Sequence, residues 1–293
     1  MLNSNKVKNK NNFVNNKNII IFFSLIVIIT LTTVFVFNNR TGNNDNIKKN
    51  VGTRNKNSKK IPSNKRKSQV IKKNAQILQG GEVAPWNIKR TDGKKMAYLT
   101  FDDGPSINTT GILQVLDKNN IKANFFILGP CAEKYPDLVK KEWDDGEIIG
   151  NHTYSHQLNY KEGPVNFVKD LDKCEGILKS ILGDKYTSKL VRFPGGASDP
   201  RGQKGKLAAF REAVTKAGYR YLDWNDETAD AEEPNVSDPS VPYLLENLKK
   251  YTAGSNVVVV LMHDAGAKKN TVLALQQVID YLKSQGFSFD VIK

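Results

Sequence analysis

The sequence predicts an α/β fold, a (β/α) barrel of about seven parallel strands, and three observations point to it. From about Pro85 onward, short apolar β-type runs alternate with amphipathic stretches that carry helix stop signals. The run "NVVVVLM" at 256–262 is apolar on both faces, as a strand buried inside a parallel sheet must be. His152, His156 and His263 are all the histidines of the chain, and each lies at or just beyond the end of an expected strand, as do Asp102 and Asp103. In a barrel the loops at the C-terminal ends of several strands meet, so this grouping favours a barrel over an open doubly wound sheet.

Taken in order, the expected strands are "MAYLTF" at 96–101, "ANFFIL" at 123–128, "EIIGN" at 147–151, "LVRF" at 190–193, "YRYLDW" at 219–224, "NVVVVLM" at 256–262 and "FSFDVI" at 287–292. A helix is expected over 166–182, where Phe167, Leu171, Cys174, Ile177, Leu178 and Ile181 recur at helical spacing and Gly183 ends the pattern. Further helices are expected over 207–217, stopped by Gly218, and over 271–285, stopped by Gly286. Parallel strands need such crossovers.

The 293-residue chain has a formal net charge of +14, but residues 1–90 alone sum to +16 and residues 91–293 to −2. Its basic character therefore belongs to the N-terminal segment. Residues 1–18 hold four lysines and no acid and read as a basic cytoplasmic N-terminus. The uncharged run 19–37, "IIIFFSLIVIITLTTVFVF", would span about 28 Å as a helix, close to a hydrocarbon core. No small-residue cleavage site follows it, so a transmembrane signal anchor is expected, single-pass in the cell membrane with the C-terminal bulk outside. Residues 38–84, rich in Asn, Lys, Arg and Ser, have the composition of a disordered basic linker. Outside a cell such a linker would lie well against anionic wall polymers. No nucleic-acid recognition module accompanies it. The expected catalytic domain is 85–293.

Cys131 and Cys174 permit a disulfide but do not establish one, and neither sits in a nucleophile setting. Trp143 and Trp224 read as packing residues, Pro105 as a turn former, and Asp199 and Arg201 as parts of a solvated loop.

Chemistry concentrates in four short motifs. "TFDDGP" at 100–105 sets two carboxylates side by side at a strand end, which alone is ordinary turn composition. "HTYSH" at 152–156 supplies two imidazoles four residues apart, a spacing that in a helical turn puts both on one face for a metal ion. "RFPGG" at 192–196 and "LMHD" at 261–264 complete the set. In this order the four resemble the motifs of the polysaccharide deacetylases, the NodB-homology or carbohydrate esterase family four, over the stretch from near Lys95 to the C-terminus.

That resemblance implies a distorted β/α barrel, one divalent metal ion and hydrolysis of an acetyl group on a sugar. It makes Asp103, His152 and His156 the metal ligands, suited to Zn²⁺ with Co, Ni or Mn as alternatives, and Asp102 the catalytic base. Arg192 matches the residue that holds the base and would keep it ionised, His263 matches the general acid, and Asp230 its partner. Gly195, after Pro194, would donate an oxyanion-stabilising N–H, and Leu261 would line the acetyl pocket. One motif departs from the family: Glu227 stands for an Asp and Ala231 for a Trp, which leaves a pocket wall open. The expected substrate is an N-acetylated polysaccharide, with peptidoglycan N-acetylglucosamine first because of the expected location. A poly-N-acetylglucosamine exopolysaccharide or chitin-type oligomers are the alternatives, and a non-catalytic wall-binding module is the alternative of another class.

Overall fold

The computed structural model describes residues 81–87, 90–198 and 204–293. The expected anchor at 19–37 and the basic N-terminus lie outside them, as do Asp199, Arg201 and most of the expected linker. Among the described residues, no helix is long and apolar enough to cross a membrane.

Among the described residues, eight strands form one sheet: β1 (Lys95–Gly104), β2 (Asn124–Ile127), β3 (Ile148–Asn151), β4 (Leu190–Val191), β5 (Arg220–Tyr221), β6 (Asp226–Glu227), β7 (Val257–His263) and β8 (Phe287–Phe289). Every pairing is parallel. The order is β5-β4-β3-β2-β1-β7-β6, and β8 pairs with β1. Edge strands β5 and β6 are consecutive in the chain but not hydrogen-bonded to each other, so the sheet is a curled barrel open along one seam. β6 is the strand beyond the seven expected, and its dipeptide Asp226-Glu227 carries no apolar pattern. β8 and β2 share one side of β1, with β8 against Lys95–Ala97 and β2 against Thr100–Gly104.

Residues 81–84 are not linker, which corrects the expected boundary. Val83 N–H donates to Tyr221 O at 2.8 Å and Tyr221 N–H to Gly81 O at 2.9 Å, so this segment covers the free edge of β5. An unpaired strand edge offers backbone groups that must find partners, and the incoming chain is the nearest supply.

Among the described residues, seven α-helices surround the sheet: α1 (Thr109–Asn119), α2 (Gly129–Lys134), α3 (Pro136–Asp144), α4 (Gly163–Leu182), α5 (Lys204–Lys216), α6 (Val241–Thr252) and α7 (Lys269–Ser284). α4 starts before the expected Asn166, because Pro164 sits in its first turn, where a missing N–H breaks no helical bond. Trp143 packs edge-on against Tyr186, as a helix-face residue should.

Strand alternation decides what faces the site. Ala97, Leu99 and Phe101 of β1 and Val258, Val260 and Met262 of β7 pack outward against the helices in the main core. The intervening residues, Tyr98 and Val259 among them, join Phe126, Leu190, Leu222 and Trp224 inside the barrel. The same parity sends Thr100, Asp102, Leu261 and His263 inward, at the C-terminal ends of their strands.

Candidate metal and acid–base site

A regular strand would send Asp102 and Asp103 to opposite faces. Here the β1–β2 register slips between Asp102 and Gly104, and Asp103 has a φ of 70°. This bulge with a left-handed residue turns the second carboxylate toward the first. Asp102 Oδ2 lies 3.6 Å and Asp103 Oδ1 3.5 Å from His152 Nε2.

His152 and His156 converge by a different route from the one expected. The 152–156 segment is a loop and not a helical turn, with Thr153 at φ 73° and His156 at φ 56°. Thr153 N–H donates to Asn151 Oδ1 and His156 N–H to Thr153 Oγ1, at 2.8 and 2.9 Å. These bonds hold two non-glycine residues in a sparsely populated region, a strain of order 1–3 kcal/mol each that surrounding structure must sustain. The result sets the two rings 4.9 Å apart.

Asp103, His152 and His156 each offer one atom, and these atoms all lie within 4.8 Å of one another. Asp103 Oδ1 is 3.3 Å from His156 Nε2, too long for a strong charge-assisted hydrogen bond, and this oxygen is buried without a hydrogen-bond partner. Two ligands of a tetrahedral ion with bonds of about 2.0–2.1 Å stand roughly 3.3 Å apart. The donor set therefore fits a divalent ion. His152 Nδ1 pairs with Arg192 O at 2.8 Å, which leaves Nε2 as the free donor atom. Burial pushes His152 down to about 3, so the ring is neutral, as a ligand must be.

Arg192 is fully buried and ties both groups together. Its carbonyl orients His152, while its Nη1 donates to Asp102 Oδ1 at 2.9 Å and to Thr100 Oγ1 at 2.8 Å. Nε donates to Leu222 O and Nη2 to Asp223 O, just beyond the end of the neighbouring strand β5. The guanidinium lies over Phe126, 4.3 Å from the ring centroid. Burial raises the Asp102 carboxyl above its ordinary value, and Arg192 and His263 only partly offset this. Arg192 favours the ionised form of Asp102, as expected, but removal from water is the larger effect on that carboxyl.

His263 stands directly across from Asp102 in the β1–β7 register. Its Nδ1 pairs with Asp230 Oδ1 at 2.7 Å, and its backbone N–H donates to Asp230 Oδ2 at 2.8 Å. Thr271 Oγ1 and Lys268 Nζ also bond Asp230. Burial alone would lower His263, but Asp230, its hydrogen bond and the two nearby aspartates carry it up to about 9. Asp230 itself is lowered; burial opposes that, and His263 outweighs it.

Pro194 is buried and Gly195 exposed, at a φ of 74° that favours glycine. Asp223 accepts from Ala197 N–H and Ser198 Oγ and so anchors the loop that follows. Leu261 is buried, while Ala231 is exposed and walls nothing. Glu227 turns to the half-buried Trp224, whose Nε1 donates to it at 3.2 Å. Both cysteines are free: Cys131 Sγ faces Asp103 O and Cys174 Sγ faces Ile127 O. The sequence alone assigns no role to Thr100, Thr109, Asp223 or Asp264, although Thr100 and Asp264 stand inside the motifs "TFDDGP" and "LMHD".

The polysaccharide deacetylase family pattern matches residues 89–222. A peptidoglycan-N-acetylglucosamine deacetylase of Bacillus cereus is 31% identical over 206 residues, covering 69% of this chain and 71% of the relative. The catalytic domain of peptidoglycan N-acetylglucosamine deacetylase from Eubacterium rectale superposes with a TM-score of 0.60 at 32% identity, over 72% of this chain and 94% of that one. A Streptococcus mutans CE4 esterase gives a TM-score of 0.61 at 30% identity, over 69% and 87%.

Proposed function

Because the chain belongs to the polysaccharide deacetylase family, hydrolases acting on amides, we propose that it removes N-acetyl groups from a cell-wall polysaccharide, with peptidoglycan N-acetylglucosamine as substrate. The observation that carries this reading is the pairing of Asp102 with Arg192 and of His263 with Asp230 on two sides of one donor set.

Asp103, His152 and His156 would hold the ion, zinc by preference for two imidazoles and a carboxylate. When bound, it supplies Lewis acidity at the acetyl carbonyl and makes water more acidic. Asp102 accepts the proton of the attacking water through Oδ2, since Oδ1 is engaged by Arg192. Its raised affinity for a proton makes it a stronger base than an exposed carboxylate. As the acetyl carbon gains the water oxygen and the C–N bond breaks, His263 delivers its proton to the departing sugar nitrogen. Asp230 holds the other ring N–H and stabilises the imidazolium beforehand. Gly195 N–H is the proposed donor to the oxyanion, and Leu261 the apolar side of the acetyl pocket.

The apolar run 19–37 supports a single-pass anchor with the domain facing the wall, and the basic stretch after it supports contact with anionic wall polymers. Incubating the purified protein with wall fragments, chitin oligomers and poly-N-acetylglucosamine, each with and without chelator, tests the substrate. Chelator-sensitive acetate release and free amines on wall glucosamine are expected. Turnover of the oligomers alone would move the assignment to chitin-type glycans. A wall-binding module is the outcome if all three stay acetylated while the protein still binds wall.

A further inference from the structure

We propose that Asp264 is a positioning residue that holds the bulge at the end of β1, and with it the placement of Asp103 beside Asp102. The inference rests on the reading of the site given above for its link to activity, but its geometry stands apart from that reading.

Asp264 follows His263 and is buried. Its backbone N–H donates to Asp102 O at 3.1 Å, and its carbonyl accepts from Ser106 Oγ. Its Oδ2 accepts from Thr109 Oγ1 at 2.6 Å, and that hydroxyl accepts in turn from Ser106 N–H at 2.8 Å. One residue thus binds the chain on both sides of Asp103 and Gly104.

Gly104 lies between these ties, and it has no left-handed φ that would call for glycine. Space calls for it instead: a Cβ on Gly104 would fall inside van der Waals contact with both Asp264 carboxyl oxygens. The carboxyl therefore fills the place where a regular strand residue would carry its side chain. With that place occupied, and Ser106 and Thr109 fixed, the segment keeps the extra residue that the slipped register records. Asp264 Oδ1 is buried without a hydrogen-bond partner, and burial raises this carboxyl above the usual range. Packing and the Thr109 bond, rather than a salt bridge, are what the group offers, so an amide of the same shape should serve nearly as well.

The test uses Asp264→Ala, Asp264→Asn, Gly104→Ala and the Gly104→Ala/Asp264→Ala double variant of the full chain. Thermal midpoint, Zn²⁺ affinity of the metal-free protein by calorimetry, and kcat with KM for acetate release are measured on each. Asp264→Ala should weaken Zn²⁺ binding by about 10–100-fold and lower kcat with little change in KM, as loss of an outer support does. Asp264→Asn should recover most of both. Gly104→Ala alone should lose at least as much as Asp264→Ala, and the double variant should lose no more than Gly104→Ala, since removing the carboxyl relieves the clash.

Additive losses in the double variant would overturn the proposal. So would unchanged Zn²⁺ affinity and kcat in Asp264→Ala, or an Asp264→Asn variant that binds Zn²⁺ normally but is inactive, which would assign the carboxyl a proton-transfer role. If Asp264→Ala does not fold, Asp264→Asn and the double variant still decide. If the parent protein releases no acetate, the calorimetry tests the positioning role independently of the function proposed above.

Discussion

The base side and the acid side of the site solve one problem in opposite ways. Asp102 gains proton affinity because burial outweighs a directly bonded arginine. His263 gains it because a directly bonded aspartate outweighs burial. On one side the protein withholds water, and on the other it adds a charge. The base should therefore respond most to changes in packing and the acid most to changes in its partner.

Removing the base itself is the largest break. Asp102→Asn should lower kcat by roughly 10²–10⁴ while Zn²⁺ binding stays close to the parent, because Asp103 and the imidazoles are untouched, and it should also lower the thermal midpoint, because the buried Arg192 loses its ion pair. Steady-state acetate release and calorimetry check this. Removing the arginine should break the fold before the chemistry: Arg192→Met leaves Asp102 buried without its ion pair and frees two carbonyls just beyond β5. A loss of about 3–5 kcal/mol in denaturant unfolding is expected, and Arg192→Lys should recover little, since a single ammonium lacks the fork that reaches all four acceptors. Smallest is Ala231→Trp, which adds apolar area on the side left open and should lower KM a few-fold, for about 1 kcal/mol of contact, with kcat nearly constant.

The same division explains what could be read from the sequence. "NVVVVLM" and the strand-end histidines made the barrel legible, because burial on both faces of a strand and C-terminal loops leave marks in local composition. All three donor residues were legible through their motifs, and the structure brings them together. The way they meet was not. The β1 bulge and the left-handed residues Thr153 and His156 depend on tertiary hydrogen bonds that no local pattern carries. Asp223 supports the site from a position whose neighbours in sequence say nothing of its neighbours in space, and Asp264, though inside "LMHD", carries no mark of its reach to Thr109. β6 escaped because two charged residues make a strand only where β7 offers an edge.

The pH dependence of kcat/KM for the zinc-loaded parent and for Asp230→Asn tests the central claim most directly. With His263 held up to about 9, its proton is in place at neutral pH, and the rate should fall as pH rises through the value of the loaded enzyme. A cation on the adjoining ligands pulls that value down in both proteins, so the difference between them is the quantity that counts. The raised value also adds stability that is fully present below the unfolded value near 6.5 and is lost as pH rises through about 9. Asp230→Asn should move the alkaline limb clearly toward acid and leave the acid limb, set by Asp102, in place. An alkaline limb that does not move would contradict the assignment of His263 and Asp230 as the acid and its partner.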